Sequence, residues 1–262
     1  MEGVEGDGST ASPAPPPYTL PPSRILSEDI LFCIDVDAES TVELKTTGAD
    51  GRPLTRLDSI KQGVLLFAHS KLSISPDHRF AFSTLSKSAS WLRKEFSSDL
   101  ESVNAALRGL SVTTPSGQAD LTLLFRMAAH EAKKSRAQNR IFRLVLVYCR
   151  SSTLPRHQWP VNQKLFTFDV IYLHDKPSPD NCPQEVYDVL VDAVEQVSEY
   201  EGYILESGQA LSRVLFRLIC MLLSHPQQRC SQDYLDIPKP LVRKTPSVDS
   251  VPADEAVPIS SQ

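Results

Sequence analysis

Apolar and polar positions along this chain follow two rhythms. Residues 30–34 (Ile-Leu-Phe-Cys-Ile) are continuously apolar and run straight into an acidic turn, Asp35-Val36-Asp37-Ala38-Glu39. A short unbroken apolar run closed by polar residues marks a strand buried on both faces, as in a parallel sheet flanked by helices. A polar connector over 40–53 follows, broken by Gly48, Gly51 and Pro53. The spacing of Leu57, Ile60, Val64, Leu65, Phe67 and Ala68 then predicts a helix over 54–70, with Asp58 where the helix dipole favours a carboxylate. Residues 79–85 alternate as a strand does, and 89–92 predict a short partner strand.

Ser97-Ser98-Asp99 offers an N-cap before Leu100, Val103, Leu107 and Leu110, and Gly109 closes that helix. A turn over 113–118 leads to Asp120-Leu121, the start of a helix through Leu124, Phe125, Ala128 and Ala129 to about residue 135. Residues 141–148 form a second long apolar run and 165–173 (LFTFDVIYL) a third, with a polar loop over 150–162 between them. A Pro-rich loop over 174–183 precedes a helix with Val186, Leu190, Ala193, Val194 and Val197. Residues 203–205 are a short edge strand, and 208–225 a last helix stopped by Pro226.

Strands alternating with helices indicate parallel βαβ units with right-handed crossovers. The predicted fold is α/β, a three-layer sandwich with a mostly parallel sheet, helices on both faces and one antiparallel edge strand. Residues 1–27 hold six prolines among Gly, Ser and Ala and are expected to be a flexible leader; 28–230 form the domain, and 231–262 a mobile Pro- and Ser-rich tail.

Composition narrows the function more than the fold. A net charge of −5 argues against a general nucleic-acid or anionic-membrane binder, both of which need a basic face. No apolar stretch reaches about 18 residues without charges, and the acidic, Pro-rich start is no signal peptide. The five cysteines (Cys33, Cys149, Cys182, Cys220, Cys230) are widely spaced, which suggests reduced thiols in a cytoplasmic or nuclear protein.

The chemistry gathers at the acidic turn. Asp35-x-Asp37-x-Glu39 resembles the first metal-site segment of von Willebrand factor A (vWA) domains, normally Asp-x-Ser-x-Ser. The resemblance places Gly117-Gln118-Ala119-Asp120-Leu121 at the family's second loop, with Ala119 where a threonine ligand belongs. Val147-Tyr148-Cys149-Arg150 falls at the third, with Cys149 replacing an aspartate and Arg150 adding a positive charge. Magnesium needs near-octahedral oxygen coordination, so the preferred reading is a degenerate site without metal or other cofactor. The carboxylates then cap the strand, with Arg150 a partner for Asp35. The alternative is a metal-dependent ligand-binding module using Asp35, Asp37 and Glu39. His174, just after a strand and beside Asp175, suggests a hydrolase-like base, but no nucleophile accompanies it and that reading ranks last. His69, His130 and His225 are expected at the surface or as caps, and Lys133, Lys134, Arg136 and Arg140 as a solvated helix end.

The last helix is apolar on two faces. Ala210, Leu211, Val214, Leu215, Leu218 and Leu222 make one; Phe216, Ile219, Cys220 and Leu223 make the other, which needs either a neighbouring helix or a partner protein. Then comes His225-Pro226-Gln227-Gln228-Arg229-Cys230. With the ILFCIDVDAE, LVLVYCR and FTFDVIYLH segments, this ending resembles the vWA-like scaffold subunits of BRISC (the MERIT-forty type), a deubiquitinase complex for lysine-sixty-three-linked ubiquitin chains. Such subunits also serve a nuclear sister complex in the DNA-damage response. The resemblance implies a non-enzymatic adaptor of a hetero-oligomeric complex in cytoplasm and nucleus. It implies that Pro226 and Arg229, with Phe216, Ile219 and Leu223, hold a subunit with ubiquitin-conjugating-enzyme-variant (UEV) domains. A separate JAMM-type metalloprotease subunit would do the chemistry. No direct nucleic-acid or membrane contact is expected.

Overall fold

A computed structural model describes residues 24–48, 51–160, 163–209 and 212–235. The expected leader up to residue 23, the tail from 236, and Ala210 and Leu211 lie outside them. The chain opens with β1 (Glu28–Asp35), all of it buried. A one-turn 3-10 helix, Ala38–Thr41, leads to a two-stranded antiparallel ribbon, β2 (Glu43–Thr47) and β3 (Pro53–Thr55). The 40–53 connector is therefore partly a hairpin. Its sequence hides this because, among the described residues of the ribbon, Leu44 alone is buried, too little to impose an alternation.

Helix α1 (Arg56–Ile74) begins with a reciprocal cap, in which Thr55 accepts from the Asp58 backbone and Asp58 from that of Thr55. β4 (Arg79–Leu85) and β5 (Ala89–Ser97) follow, then α2 (Leu100–Arg108), whose first turn donates to the Asp99 carboxylate. β5 extends past residue 92 because it is an edge strand. Arg93-Lys94-Glu95 interrupts the apolar pattern, and the register with β4 shifts there as a bulge before pairing resumes between Ser97 and Phe80. Next come β6 (Ala119–Asp120), α3 (Thr122–Ala137), β7 (Ile141–Tyr148), β8 (Pro155–Arg156), which pairs with β6, and β9 (Thr167–Leu173). The chain ends with α4 (Pro183–Val197), β10 (Ile204–Ser207) and α5 (Ser212–Met221).

The main sheet runs β10-β9-β7-β1-β4-β5, parallel except for β5. Successive side chains of β1 divide the core. Ile30, Phe32 and Ile34 pack with Leu57, Ile60, Val64 and Phe67 of α1, Val103 of α2 and Leu218 of α5. Leu31 and Cys33 pack with Leu124, Phe125 and Ala128 of α3 and Val186 and Leu190 of α4. The result is the expected three-layer α/β sandwich, with a mostly parallel sheet and helices on both faces. Winding reverses between β1 and β7, and open α/β sheets form their binding crevice at such a reversal, beyond the strands' carboxyl ends. Asp35 ends β1 there, and Cys149 and Arg150 leave β7 beside it.

The last helix is shorter than its apolar run. It ends at Met221, and a 3-10 turn forms at Pro226–Gln228. Pro226 has no N–H to give to Leu222 O, and buried cations take the carbonyls left free: Arg143 Nη2 donates to Leu222 O at 2.7 Å and Lys71 Nζ to Leu223 O at 3.4 Å.

Candidate functional site

The crevice above β1 and β7 holds a guanidinium. Arg150 Nη2 donates to Asp35 Oδ1 at 3.0 Å, and Nε reaches both carboxylate oxygens at 3.2 and 3.1 Å. The Cys149 and Asp37 amides donate to Oδ2 and Oδ1 of Asp35, each at 3.2 Å. Arg150 also donates to the carbonyls of Ser116 (3.0 Å), Gln118 (2.7 Å) and Ser86, and lies 3.6 Å from Asp37 Oδ2. It thereby ties together the three loops that meet above the sheet. Burial pushes the Asp35 carboxyl upward, while Arg150 and the two amides oppose that shift.

The other two carboxylates are also engaged. Asp37 Oδ2 accepts from the Ser116 amide at 2.7 Å, and Glu39 Oε2 from the Ser151 amide at 2.8 Å. A second buried guanidinium stands behind them. Arg56 donates to the carbonyls of Glu39 and Cys149 at 3.1 Å each and to Asp175 Oδ1 at 2.9 Å. Sequence reasoning missed Arg56. Its one signal was a cation in the first turn of a helix, where the dipole disfavours it.

These residues do not fit a hard divalent cation. Ala119 is in the core and brings a methyl group, Cys149 is a buried thiol whose pKa burial pushes up, and both Asp35 oxygens are committed to donors. Among the described residues, no cluster of three or more His, Cys, Asp or Glu is placed to hold a metal ion. The arrangement can staple loops, a structural task.

His174 stands at the same end of the sheet, stacked on Tyr172. Its Nδ1 lies 2.7 Å from Asp175 O and its Nε2 2.9 Å from Glu206 Oε2. Burial lowers its pKa, but the hydrogen bonds to Glu206 and Asp175 O outweigh that and raise it, so both ring nitrogens are engaged and it is not the free base that the hydrolase-like reading required.

The residues expected to bind a partner lie at the opposite end, and most turn inward. Ile219 is 2% exposed and packs on α1, where a Cβ at Gly63 would run into its Cδ1; Phe216 flanks the same glycine, half-buried. Leu223 is half-buried against the core and Pro226 is buried. The neighbour that the second apolar face of α5 needs is therefore α1.

Arg229 is not free for a partner in this arrangement. Its Nη1 donates to Asp169 Oδ1 at 2.6 Å and its Nη2 to Oδ2 at 3.1 Å, with both side chains fully buried. It also donates to Glu201 O at 2.8 Å, and its guanidinium lies 4.3 Å from the Tyr203 ring centre. Asp169 and Glu28 each meet Arg143, and Glu28 also meets Lys71. These cations hold both carboxyls below the usual range although burial acts the other way. His225 is a cap, as expected: its Nδ1 accepts from the Gln227 amide and its Nε2 meets Leu26 O at 2.8 Å. Gln232 then pins the outer edge of β10, its amide bonding both the N–H and the carbonyl of Ile204 at 2.7 Å. The outward residues here are Arg213, Arg217 and Cys220 of α5 and Gln228 of the turn, all exposed.

No family model matches the sequence. Its curated relatives carry the name "BRISC and BRCA1-A complex member 1". The Xenopus laevis protein is 25% identical over 238 residues, covering 84% of this chain and 71% of its own length. The Rattus norvegicus protein is 23% identical over 256 residues (88% and 75%), and the human one 22% over 238 residues (85% and 71%). Among solved structures, the TFIIH p34 N-terminal domain superposes with a TM-score of 0.51 at 13% identity, covering 74% of this chain and 96% of that one. The PilB minor pilin from Streptococcus sanguinis gives 0.51 at 10% identity (79% and 63%). The SpRpn10 VWA domain gives 0.45 at 15% identity (73% and 94%). The structural likenesses concern the fold alone.

Proposed function

We propose that this chain is a non-catalytic scaffold subunit of a BRISC-like deubiquitinase complex acting on lysine-sixty-three-linked ubiquitin in cytoplasm and nucleus, including the DNA-damage response. It would hold a UEV-domain subunit and, through it, a JAMM-type metalloprotease. The observation that carries the reading is Arg150: a guanidinium fills the crevice where a fold of this type would present an ion and ligand, leaving outer surfaces as the useful part. The relatives' shared name supports membership of such an assembly.

The partner surface in this reading is the outward side of α5 and of the 226–229 turn. Phe216 and Leu223 edge it, while Ile219, Pro226 and Arg229 shape it from beneath. Affinity purification of the tagged full chain from native cells tests this. Recovery of a UEV-domain chain and a metalloprotease is expected, and Arg217→Glu combined with Gln228→Glu should reduce it at least tenfold without lowering Tm. Recovery of neither chain overturns the proposal.

A further inference from the structure

On a chain of net charge −5, one face of α3 is cationic and left unneutralised. The cations around it are spent inside the fold. Lys134 reaches Glu131 at 2.9 Å, Arg136 reaches Glu199 at 2.7 Å, and Arg140 reaches Asp29 at 2.7 Å. Arg126, His130 and Lys133 are spaced i, i+4 and i+7 and are exposed. Arg126 feels Asp120, yet neither Arg126 nor Lys133 forms a salt bridge among the described residues. His130 lies 3.9 Å from Glu131, a carboxylate that Lys134 already occupies.

These three side chains form one wall of a groove of about 610 Å³, and Gln158, Trp159, Pro160 and Gln163 form the other. That wall is rigid. Trp159 meets Phe125 and Phe166 edge-on at 6.0 and 6.1 Å, and its indole N–H donates to Gln163 O at 2.8 Å. A preformed aromatic wall lowers the ordering cost of whatever binds it.

The described chain starts beside this groove. Leu26 lines a neighbouring cleft with Ala132 and Arg136, one helical turn from Ala129 and Lys133. The residues that precede it, 1–23, contain Glu2, Glu5 and Asp7, no Lys or Arg, and six prolines around Tyr18. Proline-rich segments in the polyproline conformation dock on aromatic-lined grooves at little entropic cost. From Arg136 to Arg126 the helix rises about 15 Å. Residues 13–22 as polyproline span about 31 Å, enough to pass Trp159 and carry the acidic head to the Arg126 end.

We infer that residues 1–23 dock back in cis on this groove, with prolines against Trp159 and Pro160 and carboxylates opposite Arg126, His130 and Lys133. The docked segment covers this face of α3 against competing acidic segments.

Full-length chain carrying 5-fluorotryptophan tests this by fluorine NMR, because the sequence has only two tryptophans and Trp91 serves as internal reference. Replacing Glu2, Glu5 and Asp7 by Lys, or adding 0.5 M salt, should shift the Trp159 resonance and leave Trp91 in place. Adding Arg126→Glu and Lys133→Glu to the leader-reversed chain should restore it. A Trp159 resonance indifferent to all of these overturns the proposal. So does a shift that grows with protein concentration, which would assign the groove to a second copy.

Discussion

The Arg150 guanidinium lies on the Asp35 carboxylate at 3.0 Å, in the crevice between the two central strands of the sheet. Both side chains are shielded from solvent, at 1% and 0% exposure. Two charges removed from water depend on each other, and the pair is costly to break from one side only.

Arg150→Met should therefore destabilise the domain by about 3–5 kcal/mol, whereas Arg150→Met combined with Asp35→Leu should recover most of that loss. Urea unfolding of the two variants measures both numbers. A single variant within 1 kcal/mol of the parent would mean that the guanidinium is not the staple described.

The same geometry forbids tight metal binding. Titration calorimetry of the full chain with magnesium and with calcium should give no saturable heat at micromolar concentrations. Micromolar binding lost on Asp35→Asn would return the acidic turn to the metal-dependent reading.

Arg229 and its neighbour Gln228 should separate cleanly. Arg229→Ala strands Asp169 with Arg143 as its remaining charged partner and should cost about 3 kcal/mol or more. Arg229→Lys should recover little, because a lysine cannot make the paired contacts of a guanidinium. Gln228→Ala, at an exposed position, should stay within about 0.5 kcal/mol. Thermal unfolding with chemical denaturation checks all three. Loss of a partner in Arg229→Ala alone would thus report unfolding as readily as a lost contact.

Stability should fall on mild acidification, before Glu28 and Asp169 titrate. His78 Nδ1 accepts the Glu28 amide at 3.0 Å and must be neutral to do so. Burial lowers its pKa from 6.5 to about 4, with Glu28 opposing. Between those values the unfolded chain binds the proton and the folded one does not, so stability is complete above about pH 6.5 and is lost as pH falls toward 4. His78→Gln should flatten that part of the profile, and an unchanged slope would exclude His78 as the cause. Further loss is expected below about pH 4 as Glu28 and Asp169, both held low by their cations, take up protons.

A closely packed helix pair gives a last check. Gly63→Ala pushes a methyl into Ile219 Cδ1, so it should destabilise the domain, and Ile219→Ala in the same chain should relieve part of the cost. Additive effects would argue against direct contact.

What the chain determined locally was its layering. Runs such as 30–34 and 141–148, and helices with apolar residues three and four apart, depend on near neighbours and on burial of one face or two. They therefore specify the sandwich and its central strands without further information. The missing ligand oxygens at Ala119 and Cys149 were legible through the resemblance, which set those two residues against the family's metal loops. Only the tertiary structure decided where most of the charges went. The resemblance already offered Arg150 as a partner for Asp35, 115 residues away, but nothing in the sequence paired Arg229 with Asp169, 60 residues away. Long flexible side chains carry no periodicity that names a distant partner. Their pairing is settled by which strand ends are brought together and by the penalty on leaving a charge dry and alone. That is how Pro226 and the Arg229 side chain come to be buried at the end of the last helix while Gln228 between them stays exposed.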